Sequence, residues 1–258
     1  MILQTANARL DLSLDGGVVE RRRVGDLDLL TVGPGKSSFP MVPWCGRLDR
    51  GILTTASGVH HLPRNAEPHA IHGTARDESW RLVESTATTA TIAQSLSAPW
   101  PFAGTTTASF TLDDDALTMS LEVASDSESF PAQAGWHPWF RRTLRTGTAP
   151  VELSFDADWQ ELRGDDYLPS GTRITPLPGP WDDCFGMPGG VDVKLLWPGI
   201  ATLRIQSPEQ WVVVYDLEDD SVCIEPQSGP PNGVNTMPRT VTPSSPLLVQ
   251  TRWSWETL

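Results

Sequence analysis

TTASFTLDDDALTMSLEV, residues 106–123, is the stretch that indicates the fold of this chain most directly. Its second half alternates apolar and polar side chains, which places Leu117, Met119, Leu121 and Val123 on one face of a β-strand. Three consecutive aspartates, residues 113–115, separate this strand from TTASFTL, and aspartate runs are typical of turns. The stretch therefore predicts two antiparallel strands joined as a hairpin.

The same pattern recurs along the chain. Further hairpins are predicted at 80–84 with 87–94, 191–197 with 200–206 and 210–216 with 221–225, and a last strand at 246–253. No window predicts a long amphipathic helix, and 21 glycines with 23 prolines argue against a helical bundle. We therefore predict an all-β chain: one domain, residues 1–258, folded as a large antiparallel β-sandwich with few short helices. Residues 164–190, rich in proline, are predicted to be a long functional loop.

Charge and cysteine content restrict the partners and the compartment. The chain has 32 acidic and 19 basic residues, a net charge of −13, so its average surface would repel nucleic acid. No stretch approaches 18 apolar residues, so no membrane span is expected. Three widely spaced cysteines without a CxxC pair indicate reduced thiols. We expect a cytoplasmic protein, a monomer or a homodimer, that binds a small molecule.

Five short clusters combine ionisable residues with aromatic residues and glycines. They are PWCGR (43–47), IHGTAR (71–76), GWHPWF (135–140), WDDCF (181–185) and CIEPQSGPPN (223–232). Neither zinc-ligand spacing, nor a phosphate-binding loop, nor a GxSxG elbow is present. Acid–base chemistry by histidine and carboxylate remains, and aromatic faces would take the apolar face of a sugar ring. The 11 tryptophans fit carbohydrate binding, although most of them are expected in the core.

In this order and at these distances, the clusters resemble the aldose 1-epimerase (galactose mutarotase) family over roughly residues 30–252. Residues 43–62 resemble that family's Asn-Arg-Ile segment, and residues 72–76 resemble its HGxxR. Residues 137–140 are similar to its His-Pro-Tyr-Phe, and residues 182–185 to its Asp-x-x-Phe loop. The ending at residues 225–235 is similar to its Glu-Pro-Gln…Pro-Asn…Asn and is the most specific of the five.

The resemblance implies a β-supersandwich that interconverts the α and β anomers of an aldose without a metal or an organic cofactor. It implies that Glu225 is the base that takes the C1 hydroxyl proton and that His137 is the acid that protonates the ring oxygen. His72 corresponds to a second histidine near that oxygen. The expected sugar-binding and pocket-wall residues are Arg47, Arg76, Asp182, Gln227, Trp44, Trp139 and Phe185. Asp183 competes with Asp182 for the sugar. As a base, Glu225 must be ionised near neutral pH, so burial must not raise its pKa too far.

Departures from the family pattern leave alternatives open. Gly46 stands where the family has an asparagine, and Trp139 stands where it has a tyrosine, so the particular sugar is open. His72, Arg76 and Trp80 also resemble the hexose-6-phosphate mutarotase branch, in which arginines hold a phosphate. A non-catalytic sugar-binding module, or a lyase or hydrolase on the same fold, is a further alternative.

Overall fold

The computed structural model describes residues 1–258 and consists largely of β-strands. In chain order the strands are β1 (Ile2–Gln4), β2 (Ala8–Leu12), β3 (Val19–Val24), β4 (Leu27–Asp28), β5 (Ser38–Met41), β6 (Arg47–Leu48), β7 (Ile52–Thr55), β8 (Gly58–His61), β9 (Ala70–Ile71), β10 (Arg81–Ser85), β11 (Thr89–Leu96), β12 (Gly104–Leu112), β13 (Ala116–Ser125), β14 (Phe130–Ala132), β15 (Gly135–Arg141), β16 (Glu152–Ser154), β17 (Trp159–Arg163), β18 (Pro169–Ile174), β19 (Asp182–Gly186), β20 (Val191–Trp197), β21 (Ala201–Ser207), β22 (Trp211–Tyr215), β23 (Ser221–Gln227), β24 (Arg239–Val241) and β25 (Leu247–Thr257). The helical elements are two 3-10 turns (Asp49–Gly51 and Ala75–Asp77) and helix α1 (Gly233–Thr236). No helix of the chain has the length and apolar character that crossing a membrane requires.

Two large antiparallel sheets organise the strands. The large sheet has 11 strands in the order β1-β2-β3-β5-β15-β23-β22-β19-β17-β18, with β4 paired to β3. The second sheet has eight strands in the order β10-β11-β12-β13-β25-β21-β20-β16. Three separate strand pairs, β6–β9, β7–β8 and β14–β24, complete the fold. This architecture confirms the all-β prediction and the large antiparallel sandwich.

Apolar side chains from both sheets form one core cluster of 55 buried residues. In β13, Leu117, Met119, Leu121 and Val123 are all fully buried, as their alternation predicts. In β23, Val222 and Ile224 belong to this core, whereas Glu225 does not. Because successive side chains of a strand point to opposite faces, the same strands of the large sheet can build the core on one face and a polar site on the other.

The predicted hairpins are confirmed, with boundaries shifted by at most two residues. β12 and β13 pair with Leu112 opposite Leu117, so the three aspartates form the turn between them. The prediction of one long loop at 164–190 is wrong, because β18 and β19 lie within it. Pro169 begins β18 at the edge of the sheet, where a proline interrupts no ladder, and β19 contains no proline.

The alternation in β13 gives a test of the core. Leu121→Ala should lower the free energy of unfolding by about 2–5 kcal/mol, because it removes buried methyl groups and leaves a cavity. Glu122→Ala, one residue further and exposed, should change it by less than about 0.5 kcal/mol. Urea denaturation of both variants measures the difference, and equal losses would contradict the assigned faces.

Candidate active site

Side chains on the outer face of the large sheet line a cavity of about 240 Å³. Phe39 lies opposite His137 across β5 and β15, Val213 lies opposite Glu225 across β22 and β23, and Cys184 lies opposite Val213 across β19 and β22. These register pairs form a row across five neighbouring strands. The row brings His137 and Glu225, 88 positions apart in the sequence, into contact.

A second row lies beside the first. Trp139 lies opposite Cys223, which in turn lies opposite Tyr215, and Tyr215 lies opposite Asp182. Trp139, Tyr215 and Asp182 line the cavity. Because Trp139 and Asp182 are three strands apart, one stands on each side of Glu225.

His137 and Glu225 form a buried pair, with His137 Nε2 3.2 Å from Glu225 Oε1. The side chain of His137 is 8% exposed and that of Glu225 is 3% exposed. Burial raises the pKa of Glu225 well above its ordinary value, and the negative charge of Asp182 raises it further. Burial, followed by the charge of Arg76, lowers the pKa of His137 to about 3. Burial therefore favours the neutral form of both partners, with the proton on Glu225 and none on His137 Nε2, and we call this the resting form.

A general base must be ionised, and the burial of Glu225 opposes that form. His137 is enclosed by the rings of Phe39 and Trp139, with centroids 4.7 Å and 5.2 Å from its own, which keeps water away from the pair. Arg47 is the cation that favours the ionised carboxylate, but its influence is smaller than that of burial.

His72 joins the pair from the strand pair β6–β9, directly after β9. Its ring meets the ring of His137 edge-on at 4.8 Å, and its Nδ1 is buried without a protein partner. Burial lowers its pKa well below the ordinary value. His72 and Gly73 both have positive φ, 64° and 71°, and a Cβ at residue 73 would collide with the carbonyl of Val42. The His-Gly turn is therefore what aims the imidazole into the cavity.

Arg47 and Asp182 both line the cavity. The guanidinium of Arg47 lies over the ring of Tyr167, and no ion pair of the structure includes Arg47. Asp183 Oδ1 accepts a hydrogen bond of 3.0 Å from Arg163 Nε, so this carboxylate is already paired. Burial raises the pKa of Asp182, and Arg47 opposes that rise. Between the two aspartates, Asp182 is the one whose carboxylate is available to a ligand.

Several side chains of the cavity were not found from the sequence. Tyr167, Arg163 and Glu161 come from the hairpin of β17 and β18, which the sequence analysis treated mostly as a loop. Tyr215 could have been found, because it is two residues from Val213, the partner of Glu225, and so shares its face.

A buried amide holds the walls of the cavity together. Gln133 Oε1 accepts a hydrogen bond from the backbone N–H of Cys45 at 3.3 Å, and Gln133 Nε2 donates to the carbonyl of Pro230 at 2.9 Å. A Cβ at Gly229 or Gly233 would collide with that Nε2. Gln133 thus ties the segment before Arg47 to the segment after Glu225, and no sequence signal marked it.

Asparagines of the last motif have a structural role. The backbone N–H of Asn232 donates to the carbonyl of Arg47 at 2.7 Å, and Asn232 Oδ1 accepts from the N–H of Asp49 at 3.3 Å. Asn235 Oδ1 accepts from the N–H of Thr54 at 2.9 Å. These bonds fix the backbone from which Arg47 reaches the cavity.

The model of the family described as aldose 1-epimerase matches residues 2–236 of this chain. The chain belongs to the aldose 1-epimerase family. It is 25% identical over 262 residues to YphB, an uncharacterised protein of Escherichia coli K12, covering 89% of this chain and 88% of YphB. A solved structure of a galactose mutarotase-like protein of Clostridium acetobutylicum shares the fold with a TM-score of 0.87 and 14% sequence identity, over 100% of this chain and 95% of that one. The structure of galactose 1-epimerase of Lactobacillus acidophilus shares it with a TM-score of 0.79 and 16% identity, over 98% of this chain and 92% of that one.

Four predicted pocket residues of this aldose 1-epimerase family member lie outside the cavity. Trp44 is buried in the core, its ring stacked on Trp100 at 6.0 Å. Phe185 follows Cys184 in β19, so it points to the core. Gln227 is fully buried and donates from Nε2 to the carbonyl of Gly229 at 2.8 Å. The structure thus places Trp44 and Phe185 in the core and Gln227 in a hydrogen bond to the backbone, all three outside the cavity lining.

Arg76 is the fourth predicted pocket residue that lies outside the cavity. It lies in the second 3-10 turn, and its guanidinium lies over the ring of Phe39 at 4.9 Å, so that it lines a separate depression with Lys36. From there its charge still lowers the pKa of His72 and of His137.

Gly46 stands at the position where the family has an asparagine. It has a φ of +60°, and a Cβ there would come within 3.0 Å of the Pro231 ring. This crowding gives a physical reason for glycine at that position.

One group of side chains has the donor types of a zinc site. His137, Cys223 and Glu225 bring one donor atom each within 4.8 Å of one another. Metal-ligating histidines usually donate their other ring N–H to a partner, but His137 Nδ1 has no protein partner. Burial also raises the pKa of the Cys223 thiol, which opposes the thiolate that a metal needs. The group therefore fits proton transfer better than metal binding.

The raised pKa of Glu225 predicts a pH-dependent stability. Above the ordinary carboxyl pKa the unfolded chain loses the proton of Glu225 while the folded chain keeps it, so stability falls as pH rises towards the folded-state pKa. Glu225→Gln removes this loss. Its Tm relative to the wild type should therefore increase from pH 5 to pH 8, as measured by differential scanning calorimetry.

The control is Glu122→Gln, an exposed carboxyl on the second sheet, whose Tm difference should stay constant over the same range. A Tm difference of Glu225→Gln that stays constant over this range, as in the control, would mean that Glu225 is ionised in the folded protein as it is in the unfolded chain.

Proposed function

We propose that the chain is an aldose 1-epimerase that interconverts the α and β anomers of an unphosphorylated aldose. The observation that carries the proposal is the buried His137–Glu225 pair on the floor of a cavity of about 240 Å³. Cavities for drug-sized ligands are larger, about 300–1,000 Å³, so this volume suits a single sugar ring.

Ring opening needs one proton removed from the C1 hydroxyl and one delivered to the ring oxygen. Glu225 takes the hydroxyl proton and His137 protonates the ring oxygen, while the C1–ring oxygen bond breaks and C1 becomes a carbonyl. The reactive form of the pair is ionised Glu225 with protonated His137. It arises from the resting form when one proton moves along the 3.2 Å contact, with no change in net charge.

After ring opening, the pair is back in the neutral form that burial favours. The aldehyde turns about its C1–C2 bond, and the two protons return as the ring closes on the other face. His72 lines the same cavity beside His137, and its ring would hydrogen-bond the sugar there. Asp182 and Arg47 offer an acceptor and a donor for sugar hydroxyls.

The charge of the cavity favours a free sugar over a sugar phosphate. Its lining has two guanidinium groups, of Arg47 and Arg163, against four carboxyl groups, those of Glu161, Asp182, Asp183 and Glu225. Arg163 is already paired with Asp183, and Arg76 lies outside. A phosphate would therefore meet one unpaired cation among acidic groups.

The central test is polarimetry of freshly dissolved α-D-glucose, α-D-galactose and glucose 6-phosphate. We expect acceleration of a free sugar, lowered about 10²–10⁴-fold in Glu225→Gln and in His137→Gln, since each variant removes one proton-transfer group. Glu122→Gln serves as the matched control and should keep the full rate.

Calorimetry of sugar binding separates the alternatives. A wild type that binds sugar without accelerating mutarotation would be a binding module. Acceleration of glucose 6-phosphate alone would establish the phosphate branch.

The pH profile tests the single shared proton. Because the pKa of His137 is lowered to about 3 and that of Glu225 is raised, the one-proton pair persists from about pH 3 to the raised pKa of Glu225. The value of kcat/KM, corrected for uncatalysed mutarotation, should therefore not fall between pH 7 and pH 4.5. A decline centred near pH 6.5 would show that His137 titrates as an ordinary histidine, and circular dichroism would check that the fold persists.

A further inference from the structure

The turn between β17 and β18 places an aromatic ring against two cations. The guanidinium carbon of Arg47 lies 4.4 Å from the ring centroid of Tyr167, and that of Arg163 lies 4.5 Å from it. Cation–π contacts of this kind are most favourable when water is partly excluded. We call these three side chains the Arg–Tyr–Arg cluster.

Of the two arginines in the cluster, Arg163 is held by an ion pair and Arg47 is not. Arg163 is fixed by its 3.0 Å bond to Asp183 in β19. Arg47 has no ion pair, and its guanidinium lies against the ring of Tyr167. The ring thus sets where the unpaired guanidinium of the cavity stands.

The backbone at Tyr167 shows that its placement is imposed by the turn. Its φ is +62°, a region in which a bulky residue is disfavoured by an energy on the order of 1–3 kcal/mol. The N–H of Tyr167 donates to the carbonyl of Gly164 at 3.0 Å, and the N–H of Gly164 donates to the carbonyl of Leu168 at 2.9 Å. These bonds hold the ring against the rim.

The exposed fraction of each lining residue indicates how deep it lies in the cavity. Glu225 and His137 are buried on the floor, whereas Tyr167 lines the same cavity and is 43% exposed. Tyr167 therefore stands at the mouth. Because the cavity has room for one ring, a second sugar ring attached to it would extend towards the exposed part of the lining, to which Tyr167 belongs.

We infer that Tyr167 determines the substrate class of the site: it positions Arg47 and closes the mouth around one sugar ring, so the chain acts on monosaccharides and excludes reducing disaccharides. The inference rests on the proposed mutarotase function. Tyr167 is a positioning and specificity residue, because the proton transfers remain with His137 and Glu225.

The experiment compares glucose and galactose with lactose and maltose in the wild type and three variants. The wild type should accelerate a monosaccharide at least 20-fold more efficiently, by kcat/KM, than either disaccharide. Tyr167→Phe keeps the ring and should behave as the wild type. Tyr167→Leu keeps most of the bulk without the aromatic face, so KM for the monosaccharide should rise about 5-fold while disaccharides stay excluded.

Tyr167→Ala removes both the aromatic face and the bulk of the side chain. Its KM for the monosaccharide should rise about 5-fold with kcat within 3-fold, and the disaccharide-to-monosaccharide ratio of kcat/KM should rise at least 10-fold. An unchanged ratio in Tyr167→Ala, or a wild type that accelerates lactose or maltose as well as glucose, would overturn the inference and leave the mutarotase function standing.

Thermal unfolding of each variant identifies a loss of fold. Were Tyr167→Ala unfolded, the KM change of Tyr167→Leu would decide, and an unchanged KM there would overturn the positioning role. A wild type that accelerates no sugar would contradict the proposed function itself.

Discussion

The contact between His137 and Glu225 is the constraint on which the rest of the site depends. Two ionisable groups are held 3.2 Å apart where water has little access, so neither is stable as a lone charge. Burial moves the two pKa values in opposite directions and leaves one proton for the pair. A pair that changes between neutral and charge-separated forms without changing its net charge suits a reaction that gives and takes one proton in each direction.

The sandwich supplies this pair because its strands have two different faces. In β23, Val222 and Ile224 fill the core, while Glu225 faces the cavity. The hydrogen-bonded ladder fixes the register between strands, so groups from distant parts of the chain meet with little freedom of position. The proposed acid–base pair thus rests on two paired strands, whereas Tyr167 of the cavity lining comes from a turn.

Close backbone approaches complete the arrangement. Gly73 passes the carbonyl of Val42, and Gly229 passes the amide of Gln133, at distances that leave no room for a Cβ. The first approach aims His72, and the second lets Gln133 join the two segments beside the pair. These glycines act on the site through the backbone, which explains why the motifs around them combine glycine with functional side chains.

The sequence by itself determined the strands, the hairpins and the fold class, because period-two alternation and turn residues are local properties of the chain. It also named Glu225, His137 and His72 as candidate acid–base groups, through motifs whose residues are adjacent. It assigned Trp44, Phe185 and Gln227 to the cavity because adjacency does not reveal which face a residue takes. Only the tertiary structure decided the contact of His137 with Glu225, the position of Tyr167 in the cavity lining and the pKa shifts. Those depend on register between distant strands and on exclusion of water, and neither is a property of any short stretch of sequence.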